Sequence, residues 1–119
     1  MVDLKLGVIE THFAEIIWAK EPVTTADLVK ICASELQWKR TTTYTVLKKL
    51  CEKGLFKTEN SIVTALISKQ EFEAMQSEQF VEENFKGSLP AFLAAFSSRK
   101  KLSDSEIDEM KMLIEKMRG

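Results

Sequence analysis

The sequence is poor in the residues that build metal centres and catalytic sites. It contains one histidine, His12, and two cysteines, Cys32 and Cys51, which lie far apart along the chain. These are too few ligands for a tetrahedral metal site, and the cysteines sit in apolar helical patterns typical of small buried side chains. A glycine-rich phosphate loop, a His-Glu-x-x-His motif and a Cys-x-x-Cys pair are also missing. We therefore predict neither an enzyme nor a metal sensor, and no cofactor.

Long hydrophobic runs are absent as well. No apolar stretch approaches the roughly 20 residues that a membrane-spanning helix needs, and residues 1–7 show no signal-peptide pattern. We expect a cytoplasmic protein without membrane insertion. Its 119 residues, 45% hydrophobic and 29% charged, suit one compact domain or a small domain with an appended module.

A basic segment lies within a chain that is close to neutral overall. The net charge is −1, yet residues 39–57 hold six basic side chains and one acid, Glu52. Residues 1–69 hold ten Lys and Arg against eight Asp and Glu, and residues 70–119 hold seven against ten. Such a segment suits a partner with a phosphate backbone, although a solvated helix face gives the same pattern.

Three helices and a hairpin are predicted in the first part of the chain. Apolar residues at helical spacing predict helices over about residues 8–19, 24–36 and 41–53, and Asn60-Ser61 joins two β-like runs, 55–59 and 62–68. The expected inward residues are Ile9, Phe13, Ile16 and Ile17, then Leu28, Val29, Cys32 and Leu36, then Thr43, Val46, Leu47 and Leu50. This order predicts a winged helix-turn-helix over residues 1–69, whose third helix enters the major groove of DNA.

The remaining residues, 70–119, are predicted to be helical. Capping boxes at Ser68–Glu71 and Ser103–Glu106 start helices over about 69–86 and 104–117, and another helix begins near Ser88. Some fifty residues cannot close a core alone, so we predict a dimerisation domain that packs against a second copy. Helices folded back onto the winged domain of a monomer are the alternative. The predicted dimerisation residues are Phe80, Phe85, Leu89, Phe92, Leu93, Phe96, Ile107, Met110, Ile114 and Met117. The predicted fold is thus mostly α with a small β-hairpin.

The outer face of the predicted third helix carries hydroxyls, an aromatic ring and lysines. Thr41 and Thr42 in its first turn suit a phosphate, Thr45 suits a base edge or a thymine methyl, and Lys48 or Arg40 suits guanine. Tyr44 is predicted either to bond a phosphate or to pack between helices, and Trp38 to lie in the core. The predicted DNA-binding residues are Lys39, Arg40, Thr41, Thr42, Tyr44, Thr45, Lys48, Lys49 and Lys57, of which Lys39, Lys49 and Lys57 are expected phosphate contacts.

Three segments resemble the penicillinase repressor family, which includes β-lactamase, methicillin-resistance and copper-transport operon repressors. Residues 38–54 resemble the recognition-helix signature of the family. Residues 16–28 resemble its pattern of an apolar pair and a Trp followed by a Pro-Val-Thr turn, and Leu102-Ser103 with the following acids resembles the start of its last helix. The resemblance implies a bacterial homodimer that binds a double-stranded, inverted-repeat DNA operator and represses transcription. In the antibiotic-resistance branch it also implies release by proteolysis through a membrane sensor-protease system.

Four features depart from the family pattern. Thr11 replaces a frequent Trp, the wing around Thr64-Ala65 is short, and the copper branch's C-terminal cysteine pairs are absent. Ala95-Phe96 stands where the cleaved bond is usually Asn-Phe, which leaves open whether this protein is cleaved. The function predicted from the sequence is a homodimeric, sequence-specific repressor. The alternative is a winged-helix protein-interaction module without sequence-specific DNA binding.

Overall fold

The computed structural model describes residues 2–119 and contains six helices and three short strands. In chain order they are α1 (Val8–Lys20), β1 (Val23–Thr24), α2 (Thr25–Glu35), α3 (Arg40–Glu52), β2 (Phe56–Glu59), β3 (Ile62–Ala65), α4 (Lys69–Phe85), α5 (Leu89–Arg99) and α6 (Asp104–Met117). The predicted fold class, mostly helical with a small hairpin and a helical region after it, is confirmed.

The sheet is antiparallel, with strand order β1-β3-β2. The hairpin pairs Phe56 with Ala65 and Glu59 with Ile62, while β1 adds to the other edge through Val23 and Val63. Asn60 and Ser61 have φ values of 53° and 62°, which form the two-residue type I′ turn that suits the twist of a hairpin. The sequence predicted an extended stretch at β1 but not its pairing, because a two-residue strand has no period to recognise.

Side-chain caps determine where several helices begin. Thr24 Oγ1 accepts the Asp27 N–H at 3.1 Å at the start of α2. Ser68 Oγ accepts the Glu71 N–H at 3.0 Å, and the Glu71 carboxylate accepts the Ser68 N–H at 3.1 Å. The same reciprocal pair joins Ser103 and Glu106 before α6. Both predicted capping boxes are therefore confirmed.

The hydrophobic core lies in a first compact unit, which extends to Ser77. Its buried apolar side chains are Phe13, Ala14, Ile16, Ile17, Val23, Leu28, Cys32, Leu47, Leu50, Leu55, Phe56, Val63 and Phe72. The prediction that Ile9 points inward is wrong, since its side chain is 56% exposed. Ile9 lies about one turn before Phe13, near the beginning of α1.

Trp18 connects α1 to the sheet and to the beginning of α4. Its ring centroid lies 5.3 Å from that of Phe56 and 5.4 Å from that of Phe72. Its Nε1–H donates to the carbonyl of Ile67 at 3.0 Å, so the one polar atom of the half-buried indole has a partner. These contacts hold the hairpin against the helices and so fix the wing.

The second compact unit, Glu78–Gly119, contains the end of α4 together with α5 and α6. Four phenylalanine rings contact one another there: Phe85 and Phe92 at 5.5 Å, Phe80 and Phe92 at 6.1 Å, and Phe92 and Phe96 at 6.2 Å between centroids. Yet no side chain of α5 or α6 is fully buried. Among residues 2–119, no helix is long and apolar enough to cross a membrane.

Candidate nucleic-acid interface

The packing of α3 fixes which of its sides faces outward. Thr43 and Leu50 are 1% and 0% exposed, and Leu47 is also buried. The Thr43 hydroxyl donates to the Lys39 carbonyl at 3.4 Å, which satisfies the buried polar group. Successive residues turn by about 100°, so the exposed Thr45 and Lys48 lie opposite this buried stripe, as the sequence predicted.

The first turn of α3 leaves backbone N–H groups open. Lys39 is the N-cap residue, and its side chain makes no capping hydrogen bond. The amides of residues 40–42 precede the first intrahelical bond, which runs from Thr43 N–H to the Lys39 carbonyl at 3.1 Å. Thr41 and Thr42 are exposed beside these amides. Open N–H groups, hydroxyls and the positive end of the helix dipole together suit an anion such as a phosphate.

Tyr44 is partly exposed on α3 and also lies beside the start of α2, so it combines features of the two positions that the sequence left open. Its side chain is 37% exposed, and the Arg40 guanidinium lies over its ring, 5.5 Å from the centroid. A hydrogen bond with the Thr25 side chain lowers the pKa of Tyr44, and the nearby Arg40 charge lowers it further. The ring therefore touches the start of α2 while it also supports Arg40, which restricts the guanidinium before any ligand binds.

A shallow cavity of about 300 Å³ opens between α3, the start of α2 and β2. It is lined by Thr25, Tyr44, Leu47, Lys48, Cys51 and Thr58. Cys51 is half-buried there, with Sγ 3.7 Å from the Thr58 hydroxyl, whereas Cys32 is fully buried. The prediction of a buried thiol is thus confirmed for Cys32 only. Across residues 2–119, no three His, Cys, Asp or Glu side chains are grouped to hold a metal ion.

The basic side chains of residues 39–57 do not all lie on one surface. Lys39, Arg40, Lys48 and Lys49 are exposed on or beside α3. Lys57 lies on β2 with its ammonium 3.3 Å from the Glu59 carboxylate. The predicted interface residues therefore all lie on α3, at its cap or on the wing.

Lys53 belongs to a different part of the molecule. Its side chain is only 19% exposed, and its ammonium lies 3.9 Å from the Asp3 carboxylate and 3.8 Å from that of Glu10. It also donates to the carbonyl of Lys5. These contacts attach the end of α3 to the N-terminal segment, so Lys53 is structural. No sequence pattern distinguished it from the other lysines of the segment.

The second unit exposes an apolar surface. Of the predicted dimerisation residues, five are exposed and five are half-buried: Phe80, Leu89, Phe96, Ile114 and Met117, and then Phe85, Phe92, Leu93, Ile107 and Met110. Leu113 is 59% exposed and is not among the predicted residues. It lies about 40° from Met117 around the helix axis, and so extends the predicted stripe. Met112 is 65% exposed but lies on the other side of α6.

Three helices followed by a hairpin, with a third helix that exposes hydroxyls and cations, define a winged helix-turn-helix protein. This fold is compatible with DNA binding. The penicillinase repressor family model matches residues 6–116, and the chain belongs to that family. The family resemblance noted in the sequence is thereby confirmed.

Relatives in the family are similar along nearly their whole length. The chain is 24% identical over 111 residues to the methicillin resistance regulatory protein MecI of Staphylococcus aureus (strain Mu50 / ATCC 700699), which covers 90% of each protein. It is 23% identical over 110 residues to the penicillinase repressor of Bacillus licheniformis, which covers 89% of this chain and 86% of the relative. These names describe regulators rather than enzymes, so the protein is a member of a transcriptional repressor family.

Proposed function

We propose that the protein is a homodimeric, sequence-specific repressor that places α3 in the major groove of an inverted-repeat DNA operator. The rotation of α3 is the observation that supports this most directly. Thr43, Leu47 and Leu50 are buried, while Thr45 and Lys48 lie opposite them, open to a ligand. The side that remains is polar and cationic, which suits DNA better than an apolar protein surface.

Each part of α3 has a proposed role. Thr41, Thr42 and the open amides beside them hold a phosphate, and Lys39 and Lys49 add phosphate contacts, while Lys57, paired with Glu59, adds at most a weak one. Arg40 and Lys48 donate to guanine, with Arg40 restrained by the ring of Tyr44. The phosphate contacts give affinity and orientation, and the base contacts give the choice of sequence.

The second unit supplies the proposed dimer contact. Its phenylalanine cluster and the α6 stripe leave large apolar side chains exposed, and a second copy of the chain is the simplest cover for them. Two copies also match the symmetry of an inverted repeat. The proposed contact residues are those predicted from the sequence together with Leu113.

Dimerisation is testable with two charge substitutions on α6, one at the edge of the proposed stripe and one about 100° further around the helix axis. Leu113→Glu places a carboxylate in the proposed interface and should weaken the dimer by about 2 kcal/mol per subunit, the value of one buried leucine. Met112→Glu is the matched control, because Met112 is similarly exposed but lies off the stripe. Sedimentation over a concentration series would measure both. Equal association of the two variants would contradict the proposed surface.

Sequence-specific binding is testable by selection from a random pool of double-stranded DNA with the purified protein. We expect enrichment of an inverted repeat, whose half-sites are spaced by one or more helical turns. Binding that is equal on selected and random DNA, or absent, would reject the repressor proposal. That result would favour the alternative, a winged-helix module that binds protein.

A membrane sensor-protease system is the proposed source of the release signal. The Ala95-Phe96 bond lies inside α5, where both residues are exposed. Because proteases bind extended chain, cleavage there requires α5 to unwind locally. Mass measurement of the protein recovered from induced cells would test this, and an uncut chain together with full derepression would reject proteolysis as the release step.

A further inference from the structure

Thr45 presents a different chemical group from the other exposed threonines of α3. Its hydroxyl donates to the carbonyl of Thr41 one turn earlier, at 2.8 Å. A β-branched side chain has only two groups on Cβ, so a hydroxyl turned back to the helix backbone leaves the methyl group as the free end. Thr45 is exposed on the side of α3 opposite the buried stripe.

The neighbouring threonines differ in this respect. Thr43 also donates to the backbone, but it is 1% exposed and faces the core. Thr41 and Thr42 are exposed, and their hydroxyls make no hydrogen bond within residues 2–119. Along the outer side of α3, the first turn therefore offers hydroxyls and the second turn offers a methyl group. Lys48 follows one turn later with a charge.

The four bases present different groups in the major groove. Thymine alone carries a methyl group there, at C5, and apolar side-chain groups recognise it by contact. We infer that Thr45 selects a thymine in each half-site by contact between its own methyl group and the thymine methyl, an inference that rests on the proposed DNA-binding function. The hydroxyl of Thr45 then serves the helix backbone and not the base.

Two nearly isosteric substitutions separate the methyl group from the hydroxyl. Thr45→Val keeps the methyl group and removes the hydroxyl, whereas Thr45→Ser keeps the hydroxyl and removes the methyl group. Thr45 is exposed, and its hydroxyl bonds the Thr41 carbonyl of its own helix, so both variants should fold, and thermal unfolding checks this. On the DNA side, replacing thymine by deoxyuridine removes only the C5 methyl group.

The experiment measures the affinity of wild type and both variants for the selected operator, with each thymine replaced in turn by deoxyuridine in both half-sites. We expect one position where wild type loses about fourfold per half-site, the effect of burying one methyl group. Thr45→Val should retain that loss, and Thr45→Ser should bind the thymine and uracil operators equally.

Two results would overturn the inference. In one, Thr45→Ser loses as much affinity as wild type when thymine is replaced by deoxyuridine, whichever thymine is replaced. In the other, Thr45→Val loses the selection of thymine while Thr45→Ser keeps it, which would assign recognition to the hydroxyl. Failure of wild type to enrich any sequence would instead reject the proposed function, so the two failures are distinguishable.

Discussion

The salt dependence of operator affinity should report how many cations of each subunit reach the DNA. The structure exposes Lys39, Arg40, Lys48 and Lys49, excludes Lys53, and pairs Lys57 with Glu59. If all four exposed cations of both subunits neutralise phosphates, a dimer displaces about eight counterions, and about four if Arg40 and Lys48 bond guanine as proposed. The slope of log affinity against log salt concentration is then about −7 or about −4, and affinity falls by about 10⁴-fold or about 10²-fold between 50 and 200 mM salt.

Single substitutions at two lysines test that assignment. Lys48→Gln should make the slope less steep by about 2 if Lys48 contacts a phosphate, since two copies each contribute about 0.9. If Lys48 donates to guanine instead, the variant should lose affinity mainly for the selected operator and little for random DNA. The two outcomes separate a phosphate contact from a base contact.

Lys53→Gln is the matched control, because it removes the same charge from the C-cap residue of the same helix. Lys53 is held by Asp3 and Glu10, so its loss should leave the slope unchanged and lower the unfolding temperature. Fluorescence anisotropy at five or more salt concentrations would measure the slopes. A flat response in wild type, or a Lys53→Gln slope as shallow as that of Lys48→Gln, would refute the reasoning.

Two further predictions concern the first unit. Burial raises the pKa of the Cys32 thiol from 9.0 to about 11, so the stability that this buried thiol contributes below pH 9 should be lost as pH rises towards 11. In denaturant titrations over this pH range, Cys32→Ala should lack this part of the decline in the free energy of unfolding. Parallel pH curves for wild type and Cys32→Ala would contradict the prediction. Ser61→Gly should raise the free energy of unfolding by about 0.5–1 kcal/mol, because Ser61 has a φ of 62° in the hairpin turn and glycine adopts positive φ without strain. The control Thr58→Gly, in a regular strand, should lower the free energy of unfolding.

Elements with local signals were predictable from the sequence. The capping boxes at Ser68 and Ser103 located the starts of α4 and α6, and Gly87 marked the end of α4. The apolar period of α3 gave its buried and exposed sides. Each of these features depends on residues within seven positions of one another, so no knowledge of the tertiary structure was needed.

Features that depend on distant contacts were not predictable. The strand β1 exists because Val23 and Thr24 pair with β3, some forty residues later, and the Thr25 N–H donates to the Ser61 carbonyl at 2.9 Å. The role of Lys53 depends on the N-terminal segment, which the sequence left without a structure. The free methyl group of Thr45 depends on a rotamer, which a sequence pattern does not specify.

The hairpin can add little charge to a DNA interface, and this concentrates recognition on α3. Its turn, Asn60-Ser61, is uncharged, and the one cation of β2, Lys57, lies 3.3 Å from the Glu59 carboxylate, so the pair is neutral as a unit. By contrast, α3 with its cap exposes four cations before its first acid, Glu52. A wing that carries no net charge gives a phosphate backbone little to bind. Selection among operator sequences therefore has to come from α3, whose exposed side chains include Arg40, Thr45 and Lys48.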